Sequence, residues 1–576
     1  MPPDESTSSG RSHRAPDGQS RVQYWAPAIA VSLTTFLIVI NASLMNVAIP
    51  TMVAEFDTSI TVIQGAVALY SLVIAALILP AGTLPSRRNT RRVMAIALLL
   101  YAGGTLVAAI SWNTAILYLG WAVIEGAAAA VLFPLTFTVL TVSYDDDARA
   151  TAFGLLAGVS GLGSTLGPIL GGALTTYASW RWGFALQLVG VAVILVFVRY
   201  VTPHPLSDQP SALDTGGTVL SIVGSTSLVT GFLVSGKYGW VVARQPFVVG
   251  GRQVNPFGTS PALWLLGVGL LAFAAFIQYE RRLERAGQSP LVPLHVLTNR
   301  AFLSGVLTYN LRSIVSAGFF FIFPVYLQAV LGYTAFETGL ALLPYSLASV
   351  LFAAFTTGWR KFIAPRTLIQ IGIVCMGVGL GVLYEQTGPT QTITRMALPV
   401  ALVGTGVGLI LAQISNMTMS AVPTADSAEA SGVLNVSSSI GYAMGTAVVG
   451  SYFLGHFYGG VVDGVLRAEH VTVSTADRND LVIALEDAAE TATEATRQQF
   501  LTHLPPAQRQ LLRGIFENAM FDAQRAALLL LVLFVLVLLL ASTFLPRQIP
   551  DVDDPPAHPE SRPEPSRETA DTAVED

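Results

Sequence analysis

Apolar residues in this chain are gathered into long runs separated by short polar breaks. Fourteen such segments can be drawn, at 24–49, 61–82, 92–111, 114–140, 150–175, 183–201, 214–235, 261–279, 302–330, 335–357, 367–385, 396–421, 427–455 and 524–545. Each is close to or longer than the ~20 residues that a helix needs to cross a bilayer. Lipid offers no hydrogen bonds to a backbone, so the segments must be helices; the alternation of a barrel strand is absent. The pattern predicts an all-α integral membrane protein with 14 transmembrane helices.

The polar breaks set a direction. With the N-terminus inside, the inner loops hold thirteen basic residues: Arg87, Arg88, Arg91, Arg92, Arg149, Arg199, Arg281, Arg282, Arg285, Arg300, Arg360, Lys361 and Arg366. The short outer loops hold five: Arg181, Lys237, Arg244, Arg252 and Arg395. That asymmetry predicts a multi-pass protein of the cell membrane with both termini cytoplasmic. Residues 456–523 then form a long outer segment, rich in Asp and Glu, with an amphipathic stretch NDLVIALEDAAETATEATRQQF. It reads equally well as a solvated cap or as a part of substrate access.

Composition agrees: 52% of the 576 residues are hydrophobic and 12% charged, against about 25% charged in soluble proteins. The net charge of −5 is confined to loops and tails and points to no partner. The first 23 residues are polar, so no cleavable signal peptide is expected. The tail after Pro546 is rich in Pro, Asp and Glu and is expected to be disordered. A single cysteine, Cys375, excludes an intrachain disulfide and offers no metal cluster. No GxxxxGK[ST] loop is present, and the seven histidines are scattered, so no nucleotide hydrolysis, cofactor or membrane enzyme is expected.

Two charges interrupt the apolar runs at depth, Glu125 in ILYLGWAVIEGAAAAVLFPLTFTVL and Arg312 in FLSGVLTYNLRSIVSAGFFFIFPVYLQAV. Either lies roughly 15 Å from the end of its span. A lone charge there costs about 2.5–3.5 kcal/mol on insertion scales, so it normally faces a cavity or a partner. A carboxylate at low dielectric favours its protonated form, which suits a cyclic proton carrier. Glu125 is therefore the proton-coupling candidate, with a cation-binding group and a plain ion pair as alternatives.

The fifth run, GLLAGVSGLGSTLGPILGGAL, sets Gly154, Gly163, Gly167, Pro168, Gly171 and Gly172 along one helix. Glycines at this spacing clear a helix face for close packing, and Pro168 removes a backbone bond. The segment resembles the antiporter motif of the major facilitator superfamily, and SWRWGFALQL after it resembles the start of span six in its fourteen-span drug:proton antiporters. NASLMNVAIPTM, Gln64, Tyr70, PVYLQAVLGYTAFETGLALLP and AEASGVLNVSSSIGYAMG extend the likeness over most of residues 30–455. The resemblance implies a cytoplasmic tail at 1–23, a six-helix bundle at 24–201, and two added helices with linkers at 202–300. A second six-helix bundle follows at 301–545, including the outer loop 456–523, and a tail at 546–576. The substrate site would lie between the halves, lined by spans one, four, nine and twelve, and transport would proceed by rocking them.

The chain departs from that pattern in its charges. The family's span-one Asp is Asn41 here, its span-four Arg is Ala122, and its loop after span two reads GTLPSRRNTRR, with Ser86 for the Asp and Asn89 for a Gly. Losing an acid and a base together avoids one unpaired charge at depth. The gate loop keeps Arg87, Arg91 and Arg92 beside Ser86. Substrate-cavity candidates are Arg312, Asn41, Asn310, Gln413, Asn416 and Tyr70, although Asn and Gln in spans also bind helices together. Trp25, Trp112, Trp180, Trp182, Trp240 and Trp264 read as interface anchors. The expected activity is proton-driven efflux of amphipathic organic molecules by a monomer whose partners are the substrate, protons and lipid, with no nucleic acid. A proton-independent facilitator or importer, and a degenerate membrane sensor, are the alternatives.

Overall fold

The computed structural model describes residues 20–548 other than 59, 83–88, 202–213, 250–251, 254–255, 289, 360–361, 390 and 492–502. Within them the chain is helical apart from loops and one small ribbon, Val248–Val249 paired antiparallel with Arg252–Gln253. Numbering the helices of 18 residues or more gives α1 Arg21–Glu55, α2 Ile60–Gly82, α3 Thr90–Ala109, α4 Thr114–Ser143, α5 Asp146–Tyr177, α6 Arg181–Val198 and α7 Thr215–Tyr238. Then come α8 Pro261–Arg285, α9 Arg300–Ala329, α10 Ala335–Trp359, α11 Pro365–Gln386, α12 Ile393–Met419, α13 Ser427–Ala468 and α14 Pro506–Ser542.

Each apolar run of the sequence falls on one of these helices. Twelve are long and apolar enough to cross a membrane; α5 and α13, rich in Gly and Ser, are not by composition, so the count of fourteen spans is not established. Both are nonetheless packed among the others, α5 against α1 and α10, α13 against α9 and α14. Helices α1–α6 form one bundle and α9–α14 a second, joined along a seam where α5 meets α10 and α12, and where α2 and α4 meet α13. The α7–α8 hairpin lies outside this seam, with α7 touching both α2 and α13. Ala75, Val229 and Ala443 close that three-helix corner.

The glycines of α5 explain how close the seam is. A Cβ at Gly163 or Gly171 would press on Phe36, Val39 and Leu44 of α1, and one at Gly154 would lie 2.8 Å from the carbonyl oxygen of Ala353 in α10. One helix thus serves two neighbours with its small residues. Gly167 is buried and Gly172 half-buried; the Pro168 side chain lies outside the described residues.

Toward the end opposite the arginine-rich loops, helices are longer than a bilayer core is thick. α13 has 42 residues, about 63 Å of helix against a ~30 Å hydrocarbon core. The segment expected as a loop over 456–523 is therefore helical at both ends, because α13 continues to Ala468 and α14 begins at Pro506. Phe457 and Phe516 pack edge to face between them, with ring centres 4.7 Å apart. A further helix, Thr475–Thr491, is tied to α13 by Arg478, whose Nε and Nη2 donate to Asp463 at 2.6 and 2.8 Å. Arg478 holds the Asp463 carboxyl below its usual range.

Two tests follow from this packing. Gly154→Ala and Gly171→Ala should each cost about 1–3 kcal/mol by overpacking. Gly103→Ala, at a position with open space, should be neutral or stabilising. Thermal unfolding in detergent measures all three, and equal effects would dismiss the close seam. The Asp463 contact contributes above the unfolded carboxyl's pKa and is lost as pH falls through the depressed value. Amide exchange of helix Thr475–Thr491 should therefore quicken, beyond the intrinsic rate, on acidification below about pH 4 and in Asp463→Asn.

Candidate functional site

Glu125 sits where α4 is widened. Between Tyr118 and Glu125 the helix takes π geometry, a bulge often found at functional positions. Gly104 of α3 lets the bulge approach, since a Cβ there would lie 2.7 Å from both the Gly120 carbonyl oxygen and the Glu125 nitrogen. The side chain of Glu125 is fully buried and turned into the first bundle. Its Oε1 accepts from the Asn41 amide of α1, and its Oε2 accepts from the Thr105 hydroxyl of α3 at 2.9 Å. Behind Asn41 stands Gln187 of α6, whose Nε2 donates to Asn41 Oδ1 at 2.9 Å and whose Oε1 accepts from Tyr101 at 2.8 Å. Four helices thus close one polar chain, and every donor in it is neutral. Tyr70 of α2 borders the site, its ring against Trp121 and its buried hydroxyl without a partner.

Arg312 lies in the other half. Its Nη2 donates to Ser313 Oγ at 2.9 Å and Nη1 to Ser316 Oγ at 3.4 Å, and the guanidinium stands 4.8 Å from the centre of the Tyr309 ring. Its Nε is buried without a partner. Among the described residues no acid pairs with it, and none of the Glu125 contacts reaches it. The two charges of the sequence therefore do not meet, and the plain ion pair between them is excluded. The reason is directional: Glu125 faces α1 and α3, while Arg312 is held by residues of its own helix, Ser313, Ser316 and Tyr309.

The remaining candidates scatter. Asn41 belongs to the Glu125 chain. Asn416 of α12 accepts from Arg149 Nε of α5 at 3.2 Å and so bridges the halves at the arginine-rich end. Asn310 donates to the Ser437 carbonyl of α13 at 2.5 Å, a helix-binding role. Gln413 is fully buried, and neither of its amide atoms has a partner. Arg91 and Arg92 are exposed at the start of α3, whose cap is Asn89, accepting from Arg92 N–H at 3.1 Å. Ser86 and Arg87 lie outside the described residues. Trp180 is not an interface anchor: it is fully buried, and its Nε1 donates to Glu55 at 2.6 Å. Arg181 also pairs with Glu55 and stacks on Trp180, so the SWRW motif locks the end of α1 to the start of α6. Sequence reading passed over Glu55, Thr105, Tyr101 and Gln187. The last three are ordinary helix residues, and only the packing of α3 on α4 and of α6 on α1 and α3 joins them to the Glu125 chain.

The sequence profile of the Major Facilitator Superfamily matches residues 31–446. The chain belongs to that superfamily. The puromycin resistance protein pur8 of Streptomyces alboniger is 27% identical over 75% of this chain and 82% of its own length. The multidrug efflux pump LfrA of Mycolicibacterium smegmatis is 26% identical over 82% and 89%. The cephamycin export protein CmcT of Amycolatopsis lactamdurans is 28% identical over 72% and 82%. The crystal structure of the human organic anion transporter MFSD10 (TETRAN) shares the fold, with a TM-score of 0.51 at 12% identity over 89% of this chain and 98% of that one. This superfamily protein is thus a multi-pass membrane transporter whose relatives include drug exporters, and it carries an acid–amide chain where a buried charge has no cation.

Asn41→Leu removes a donor to Glu125 and an acceptor for Gln187, and should cost about 1–3 kcal/mol. The double variant Asn41→Leu, Glu125→Leu should recover part of that loss, because fewer buried polar atoms are then left unpaired. Thermal unfolding of the single and double variants measures the coupling; strict additivity would argue against it.

Proposed function

We propose that the chain exports amphipathic organic molecules across the cell membrane in exchange for protons, by alternating access, with both termini in the cytoplasm and Glu125 as the proton carrier. One observation carries this reading: Glu125 is buried on neutral donors alone. An acid held by an arginine would be locked as a carboxylate, whereas a hydroxyl and an amide accommodate both protonation states. The Thr105 hydroxyl can donate or accept, and a protonated Glu125 can donate in its turn. The efflux relatives agree with the direction of transport.

In the second half, Arg312 offers a cation without an acid, and Gln413 an amide without a partner. Phe319, Phe320 and Tyr345 form an aromatic group in the same half, on α9 and α10. A substrate with a flat apolar body and an acidic or strongly polar group suits such a lining. The complete burial of Glu125 favours a second reading, in which it is structural and the carrier works without protons.

Inverted vesicles loaded with the protein separate the two. With puromycin as the probe, an imposed pH gradient should drive uptake by the wild type, and Glu125→Gln should reduce that flux by about 5–150-fold, the range of a 1–3 kcal/mol coupling. Exchange of puromycin without a gradient should persist in the variant. Gradient-independent uptake by the wild type would support the second reading. Arg312→Ala should weaken puromycin exchange more than Arg285→Ala, an exposed position; equal effects would remove Arg312 from the substrate path.

A further inference from the structure

The α7–α8 hairpin closes at the arginine-rich end on two acids that the transport reading does not use. Asp214 caps α7, its Oδ1 accepting the Gly217 N–H at 2.8 Å. Glu280, near the end of α8, accepts with Oε2 the N–H of Leu291 at 2.8 Å and of Val292 at 3.5 Å. One oxygen remains on each carboxyl, Asp214 Oδ2 and Glu280 Oε1, and both are buried without a hydrogen-bond partner. They point to the same place: a Cβ added at Gly217 would collide with both at once, and the two side chains lie within hydrogen-bond reach of each other. Asp214 is 7% exposed and Glu280 0%.

We infer that Asp214 and Glu280 hold one proton between Oδ2 and Oε1, making a second proton-binding site that clamps the hairpin to the linker leading into the second bundle. Two carboxylates in contact and out of water cannot both ionise without strong repulsion. One shared proton turns that repulsion into an O–H···O bond and satisfies both orphaned oxygens. A metal cation fits poorly. Calcium takes 6–8 oxygens, whereas the second oxygen of each acid here is committed to backbone N–H groups that repel a cation.

One other titratable side chain, Tyr279, lies against the pair, its hydroxyl within reach of Asp214. The charge that acts on Glu280 is that of Asp214. From α8, Tyr279 faces the pair and its ring covers Gly216, while Arg281, Arg282, Glu284 and Arg285 are exposed. Helix α2, packed on α7, carries no charged residue from Ile60 to Gly82. At the same end of α13, Asp426 is engaged by His295 at 2.8 Å, and Glu429 is the other acid. Leu291 and Val292 are buried in the main core and lead through the short helix Leu294–Thr298 into α9. Since α7 touches both halves, the clamp joins the hairpin, the seam and the start of the second bundle. Loss of the proton sets two negative charges against each other and loosens the hold on Leu291 and Val292.

The sign is set by linkage. The folded pair keeps a proton that free carboxyls, with pKa values of about 4, have released at neutral pH. Its stabilisation is therefore present at lower pH and lost as pH rises through the pair's titration. The test is thermal unfolding of the full-length protein in detergent between about pH 6 and about pH 9. It is done in a Glu125→Gln background, so that the other buried acid does not contribute and the transport reading stands or falls separately. Tm should drop by roughly 2–4 °C over that range. Adding Glu280→Gln, whose amide donates to Asp214 without titrating, should abolish the drop; so should Asp214→Asn, which keeps the cap acceptor, if the first variant fails to fold. Amide exchange at Leu291 and Val292 should rise with pH beyond the intrinsic rate only where both acids are present. An unchanged slope in the substituted proteins overturns the shared proton. So does a Tm raised by calcium or magnesium that Glu280→Gln removes, since that would make the pair a cation site.

Discussion

A carboxyl group buried in a membrane protein without a cation must be held by something neutral, and the first bundle is arranged around that requirement. Glu125 meets Asn41 from one helix and Thr105 from another, and Asn41 is itself oriented by Gln187, which is held by Tyr101. Hydrogen bonds to charged groups are worth about 1.5–3 kcal/mol each, comparable to the insertion cost of the acid. The π-bulge of α4 and the absent side chain of Gly104 serve the same end, bringing α3 close enough for Thr105 to reach. Losing any one member strands a polar atom at a depth where water cannot replace it.

Separation of the two buried charges shapes the rest. Arg312 occupies the second bundle with serine and tyrosine for company, so each half carries its own polar centre. Between them runs a seam closed by small residues and a few polar ties, Arg149 to Asn416 and Ser431 to the Pro134 carbonyl. Small residues let the helix backbones on either side approach closely, so little side-chain interlocking is needed to hold them. The α7–α8 hairpin lies outside this seam, with α7 against α2 and α13 and the two acids Asp214 and Glu280 at its end. Both buried acid sites thus stand beside, and not within, the contact between halves.

The helix ends opposite the arginine-rich loops follow a different logic. Toward that end α13 and α14 remain helical and pair through the Phe457–Phe516 contact, and the half-buried Asp463 and Arg478 fasten the helix that follows. Water surrounds those groups, so an ion pair there adjusts position more than it adds stability. The same pairing of Arg181 with Glu55 is reinforced by the buried Trp180, which gives it a fixed geometry that an exposed pair lacks.

The apolar periodicity alone determined that the chain is a bundle of membrane helices, since lipid permits no other answer for runs of that length. The glycine spacing of the fifth helix likewise announced close packing before any neighbour was known. Residue chemistry marked Glu125 as exceptional for the same reason: an acid among apolar residues is costly wherever it ends up. Which way it faces was a matter for tertiary structure. A helix presents side chains all round its axis, and only the neighbours at each angle decide whether an acid meets Arg312 or Asn41. The partners Thr105 and Gln187, the reach of Asp214 to Glu280 and the burial of Trp180 depend on residues distant in sequence, so no local pattern encodes them.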